Sequence, residues 1–233
     1  MHGRRVVPGA GVLVALLAIT PAAPAGAQCL EGTRPLITIE RTFFSETLEA
    51  IKSAIPEPPE GWHVADATEV RVPRGICIGR ERQPLSIEFF VRFEPFGAGD
   101  TVPRLVPASQ DARPARDARI LVTVNARQEV FDPHVEQLPV PEVTLAFEDA
   151  ADTPGRTSLG LLIGDWSLFR PENPSGSLEA MAHFDLQVRY TRVQSISVRL
   201  DGPPAPVTQL MAGLDVGALK ELLPRAEPPS GGR

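Results

Sequence analysis

Lysine is nearly missing from this chain. Lys52 and Lys220 are the only two among 233 residues, and the other 21 cations are arginines, a bias that reads as a GC-rich bacterial genome and not as a device of function. Acids outnumber bases, 29 to 23. A chain this acidic lacks the electrostatic footprint that holds a polyphosphate backbone, and anionic membrane surfaces repel it. No nucleic-acid partner is expected. Long apolar runs are scarce too. Beyond residue 27 none exceeds about half a dozen residues, short of the ~20 of a membrane helix, so no membrane insertion is expected once the first 27 residues are removed.

Catalytic signatures are also wanting. There is no G-x-S-x-G elbow, neither cysteine neighbours a histidine, and no phosphate-binding G-x-x-x-x-G-K-[ST] or strand-following G-x-G-x-x-G occurs. The Gly97-Ala-Gly-Asp100 stretch has acidic neighbours and no helix after it, and reads as a turn. No internal repeat suggests a solenoid or propeller. Breakers, by contrast, abound: proline and glycine make 44 of the 233 residues. That frequency excludes a long coiled coil or an all-helical bundle, because few uninterrupted helical windows are left.

What is present begins with an export signal. Arg4 and Arg5 precede eight wholly apolar residues, Val12 to Ile19, and Pro24-Ala-Gly-Ala27 ends in small residues at the −3 and −1 positions of a cut after Ala27. Residues 1–27 therefore read as a cleaved signal peptide, 28–224 as one α+β domain, and 225–233 as a disordered tail. The rival readings are a retained anchor and a lipid attached at Cys29. Bacterial lipidation wants a small residue before the cysteine, and Gln28 stands there. Because the leader carries two arginines and no acid, its removal takes the net charge from −6 to −8. Localisation is expected to be periplasmic or secreted.

Two cysteines, Cys29 and Cys77, survive that cut. In an oxidising compartment an isolated pair is most simply a disulfide, and closing its loop of about 50 residues removes roughly 4 kcal/mol of unfolded-chain entropy. Redox chemistry would want the close C-x-x-C spacing that is absent here. The bridge is expected to pin the segment 29–40 against the sheet, with Ile37 and Ile39 pairing as an edge strand.

Periodicity then places the elements. Phe44, Leu48, Ile51 and Ile55 form one apolar stripe of a helix over 42–55, which Pro56 stops. Val207, Leu210, Met211, Leu214, Leu219, Leu222 and Leu223 give a second apolar face. Gly213 and Gly217 weaken it and Asp215 offers an N-cap, which splits it into two short helices. Between the helices the period is two. Leu85, Ile87, Phe89, Val91 and Phe93 share a face, as do Ile120, Val122, Val124 and Ala126, then Val143, Leu145 and Phe147, then Leu159, Leu161 and Ile163. A last row runs Phe184, Leu186, Val188, Tyr190, then Ile196, Val198 and Leu200, bent near 191–195. Such alternation suits an antiparallel sheet covered on one side. The segment 94–119 carries four prolines and balanced charges, and is expected to be a long mobile loop.

The run Ile55-Pro-Glu-Pro-Pro-Glu-Gly-Trp62 after a short helix, the strands, and the closing block Val193-Gln-Ser-Ile-Ser-Val-Arg-Leu-Asp-Gly202 with Leu210, Leu214-Asp215 and Leu222-Leu223 together resemble a group of secreted bacterial proteins whose layout is similar to the PsbP-like α/β sandwich. The resemblance covers most of the chain after the leader in order of elements. It implies an antiparallel sheet with an N-terminal and a C-terminal helix packed on it, and no catalytic residue.

Metal binding is the strongest of the chemical candidates. Asp132, His134 and Glu136 alternate, and His183 and Asp185 repeat the pattern on an expected strand. Zinc wants three or more converging ligands. Pro133 interrupts the first group and the second supplies two, so a wet sheet face explains both. His63 reads as a partly exposed loop residue, and Trp62 and Trp166 as closing the core edges, with a ligand pocket as the alternative. The expectation is therefore a noncatalytic envelope protein, an accessory or binding domain for an unknown protein or small ligand, with no cofactor, metal or catalytic residue. The alternative is a metal-assisted hydrolase using His134 and His183.

Overall fold

The computed structural model describes residues 32–65, 69–77, 83–97, 116–132, 135–150, 155–169 and 177–224, with Asp149 and Ala150 as backbone alone. The leader, Cys29, His134, most of the 94–119 loop and the tail lie outside the described residues. The chain is mixed α and β and mainly antiparallel sheet. Its elements are β1 (Thr33–Pro35), α1 (Thr38–Ala54), β2 (Trp62–Val64), β3 (Glu69–Arg71), β4 (Gly75–Cys77), β5 (Ile87–Pro95), β6 (Ala118–Val124), β7 (Gln128–Phe131), β8 (Glu136–Gln137), β9 (Leu145–Ala150), β10 (Thr157–Gly164), β11 (Trp166–Phe169), β12 (Leu178–Ala182), β13 (Ser195–Gly202), α2 (Pro204–Gly213) and α3 (Val216–Glu221). No helix among the described residues is long and apolar enough to cross a membrane.

Helix α1 follows from its stripe. Phe44 and Ile51 are buried, Leu48 and Ile55 pack beside them, and Glu46, Glu49 and Lys52 face water. It begins four residues earlier than the stripe predicts, and that removes the expected edge strand at Ile37 and Ile39. The Glu40 carboxylate accepts the Ile37 N–H at 2.9 Å, and the Ile37 carbonyl accepts from the N–H groups of Glu40 and Arg41. The first turn is thus closed where a strand was expected, and Ile37 and Ile39 stand half-exposed on it. The strand is the shorter β1, paired with β4 so that Thr33 faces Cys77. At the far end Ile55 is extended, as a residue before proline must be. The closing helices form as the glycines and Asp215 predict, with Asp215 Oδ1 capping α3 through the Ala218 N–H at 2.8 Å.

The main sheet runs β2-β5-β6-β13-β10-β9-β8, with β3 beside β2 on the same edge of β5, and every pairing is antiparallel. One face carries the larger core. There Ile87, Phe89, Val91 and Phe93 meet Ile120, Val122 and Val124, Val198 and Leu200, and Leu161 and Ile163, under Phe44, Ile51, Val207, Leu210 and Leu219 of the helices. Each fully buried aliphatic or aromatic side chain there contributes roughly 1.5–3 kcal/mol.

The expectation that the sheet is covered on one side only is corrected. A separate three-stranded sheet, β11-β12-β7, packs on part of the other face and encloses a second core of Ala126, Phe131, Phe147, Leu162, Trp166, Leu178 and Ala180. Gly160 makes that approach possible, because a Cβ there would lie 2.5 Å from the Phe131 ring. Asn125, in the left-handed region at φ 54°, flips the parity of its segment. Val124 therefore enters the helix-side core and Ala126 the second one, where the alternation had placed them in one row. The Asn125 amide holds this kink by donating to the Leu85 and Arg192 carbonyls and accepting the Gln194 N–H.

Three further corrections concern the strands. Residues 184–190 are not a strand: Asp185 Oδ1 accepts the Gln187 N–H and its carbonyl the Val188 N–H, a local turn that competes with sheet pairing. Val143 precedes β9 and packs toward the helix side, while Leu145 and Phe147 belong to the second core. The loop expected over 94–119 is shorter, since β5 continues to Pro95 and β6 starts at Ala118.

Candidate functional site

The three-stranded sheet packs on β10 and β9 through Leu162 and Phe147 and meets β13 through Arg199. On β5 and β6 the same face carries no further layer among the described residues, and Glu88, Phe90, Leu121 and Thr123 there are only partly buried. The pleat that sends Ile87, Phe89, Val91 and Phe93 to the helices turns Glu88, Phe90 and Arg92 outward, beside Leu121 and Thr123 of β6. A groove of about 1200 Å3 follows this uncovered half. Val72, Pro73, Pro84 and Leu121 supply apolar lining, while Arg71, Arg127 and Arg199 bring positive charge.

Arg199 marks the boundary between covered and open halves. Its guanidinium lies 5.3 Å from the Phe131 ring centre, pairs with Glu129 at 2.6 Å and donates to the Val130 carbonyl. Arg71 pairs with Glu69 at 3.1 Å and Glu88 at 3.4 Å. Arg127 differs: it is exposed, and its donor contact is to the neutral Gln83 Oε1 at 2.5 Å.

Two buried charge clusters brace the sheet away from the groove. Fully buried Glu40 receives Arg34 through both oxygens, at 2.6 and 3.0 Å, and the Tyr190 hydroxyl at 2.9 Å. The Arg34 hydrogen bonds, aided by the Ile37 N–H and Tyr190 and opposed by burial, hold the Glu40 carboxyl at about 2. Burial and the bond to Glu40 push the Tyr190 hydroxyl up. At the other end Arg156 joins Asp201 and Asp117, and Arg119 pairs with Asp117 at 2.6 Å. Burial pushes the Asp117 carboxyl up, but Arg119 and Arg156 outweigh it and hold it below the usual range. Glu40 and Asp117 are held charged by their donors, an arrangement suited to bracing and not to proton transfer.

The described members of the candidate metal groups are not brought together. His183 and Asp185 follow the end of β12 and sit exposed in a loop, not on a strand. The His183 N–H donates to the Asp165 carbonyl, and both side chains border a cleft of about 420 Å3 with Asp165. β7 ends at Phe131 and Glu136 opens β8, so Asp132 and Glu136 do not share a strand, and His134 lies outside the described residues. Among the described residues no three His, Cys, Asp or Glu side chains are grouped to hold a metal. His63 is half-buried in β2 and stacks on Phe96 at 5.3 Å, not in a loop. Trp166 closes the second core, its Nε1 donating to the Ile163 carbonyl, and Trp62 packs at the edge of the first. Cys77 ends β4 half-buried, and Cys29 lies outside the described residues.

Sequence reasoning missed the groove. Its arginines come from β3, from the link after β6 and from β13, and no spacing in the chain announces that they converge. The available signal was Leu121, an apolar side chain on the polar side of the alternating strand β6. No family model, curated protein or solved structure matches this chain.

Proposed function

We propose that this chain is a noncatalytic binding or accessory protein of the bacterial envelope, exported through residues 1–27 and bridged between Cys29 and Cys77. The observation that carries the reading is the groove on the β5–β6 half of the main sheet, which is somewhat larger than most ligand sites and combines apolar lining with a few charged groups. The resemblance in element order to the PsbP-like sandwich is compatible with it and adds no activity.

The export and disulfide proposals support one another. Thr33 stands opposite Cys77, and Gly32, with φ at 90°, gives the four-residue link from Cys29 a point at which to fold back. Protein recovered from the envelope fraction is expected to begin at Gln28 and to show the mass of an oxidised pair. Reduction is expected to speed amide exchange in β1, β4 and the start of α1 ahead of β10 and β13. A full-length, reduced cytoplasmic chain overturns both proposals.

The groove is tested by native mass spectrometry of the same material. A bound small molecule or protein is expected on the wild type and absent from Leu121→Trp, whose indole fills the floor. Ligand retained equally by that variant overturns the groove as the site. Metal analysis of the purified protein decides the hydrolase alternative, which requires stoichiometric metal lost on substitution of His134 or His183.

A further inference from the structure

We infer that the groove takes a single-chain organic anion, a carboxylate on an unbranched apolar body, with Arg127 as its counter-ion. The inference rests on the groove being a binding site and adds the class of ligand. Charge complementarity carries it. Of the three arginines that line the groove, Arg71 is neutralised by Glu69 and Glu88 and Arg199 by Glu129. Arg127 has no carboxylate among the described residues and donates only to the neutral Gln83 amide. Among the described residues one positive charge is therefore available, at a surface whose Val72, Pro73, Pro84 and Leu121 side chains offer no hydrogen-bonding group.

Other ligand classes fit less well. A cation finds the acids lining the groove, Glu88 and Glu129, already paired with arginine. A polyphosphate brings several charges to the one guanidinium available among the described residues. An added peptide strand finds β6 on the groove floor paired on both sides, by β5 and β13, and is left with the edges of β3 and β4, which have three residues each. A neutral lipid leaves Arg127 uncompensated. The source is the free amphiphile and not a bilayer, because a chain of net charge −6, or −8 without its leader, is repelled by an anionic membrane.

The test titrates the full exported chain with decanoate, decylamine and decanol by calorimetry. Decanoate is expected to bind one to one, and Arg127→Gln to weaken it about tenfold or more, the value of one charge-assisted hydrogen bond. Arg127→Lys is expected to restore most of that loss, and all three proteins to melt together because the side chain is exposed. Decylamine is expected to bind weakly and with no change in Arg127→Gln. Equal affinity of wild type and Arg127→Gln for decanoate overturns the inference, as does equal binding of decanoate, decanol and decylamine. Sedimentation with anionic phosphatidylglycerol vesicles overturns the free-amphiphile source. If decanoate fails while a Leu121→Trp-sensitive ligand accompanies the native protein, the binding reading stands and this inference falls. If neither is seen, both fall.

Discussion

Strands β5 and β10 lie in one sheet and share the helix-side core, yet their second faces differ. Leu162 on β10 is fully buried beneath the three-stranded sheet, and Gly160 leaves room for Phe131. On β5 the matching positions, Glu88, Phe90 and Arg92, are only partly buried. The difference lies in what stands above them: apolar side chains in one case, a groove in the other. The covered half is held by carbon packed on carbon. The open half is laced by pairs such as Arg71–Glu88 and Arg92–Glu94, and exposed pairs of this kind contribute about 1 kcal/mol or less each. Among the described residues the β5–β6 half of that face therefore carries less packing stabilisation than the β9–β10 half.

The largest expected effect breaks the covered half. Phe131→Ala removes the ring that touches Phe147 at 4.8 Å, supports Arg199 and fills the space over Gly160. A loss of about 4 kcal/mol is expected in chemical denaturation, with amide exchange accelerating first at 128–131 and 178–182. A loss below 1 kcal/mol would show that the second core is not packed as described.

Next comes Glu40, which ties β1 and the start of α1 to Tyr190. Glu40→Gln is expected to cost about 3 kcal/mol, the low end for a broken buried pair, since the surviving Arg34 is partly exposed and can rehydrate. Its pH dependence follows from the sign of the shift. The folded carboxyl sits at about 2 against an ordinary 4.5, so the unfolded chain binds the proton first as pH falls. The contribution is complete above about 4.5 and disappears as pH drops toward 2. The stability gap between wild type and Glu40→Gln is expected to close over that window in parallel urea titrations. A gap that widens on acidification would contradict the ion-pair account.

Arg199 sharpens the boundary between the halves. Arg199→Met keeps an apolar chain against Phe131 but leaves Glu129, whose side chain is 13% exposed, without its cation. A cost of about 1–2 kcal/mol is expected, recovered in part by adding Glu129→Gln, a coupling that a double-mutant cycle measures.

The two halves were also unequally legible in the sequence. Along β5 the alternation survives as burial, so the helix-side face was readable residue by residue. Along Gly160-Leu-Leu-Ile163 both faces are buried and the alternation is lost; a row made of Leu159, Leu161 and Ile163 leaves Leu162 without a role, and Leu162 was the sign of a second layer. Strands β7, β11 and β12 have four or five residues each and use alanine at Ala180 and Ala182 to face the core, too small a side chain to register as a pattern. The Phe184 to Tyr190 row misled for the opposite reason: the period was right, but Asp185 supplied its own turn. The groove was illegible because it is a property of the uncovered half, and coverage depends on which distant strands meet.

The smallest effect tests the comparison most directly. Phe90 is chemically the equal of Phe131, and both point to the second face of the main sheet. If that face is open over β5, Phe90→Ala loses only partial burial, creates no enclosed cavity, and costs less than about 1 kcal/mol. The ratio of the two substitutions then measures coverage, with no assumption about what the groove binds. A Phe90→Ala cost near that of Phe131→Ala means the face is covered in solution. Its dependence on protein concentration then identifies the cover: a cost that fades on dilution points to a second copy, and one that does not points to a segment of the same chain.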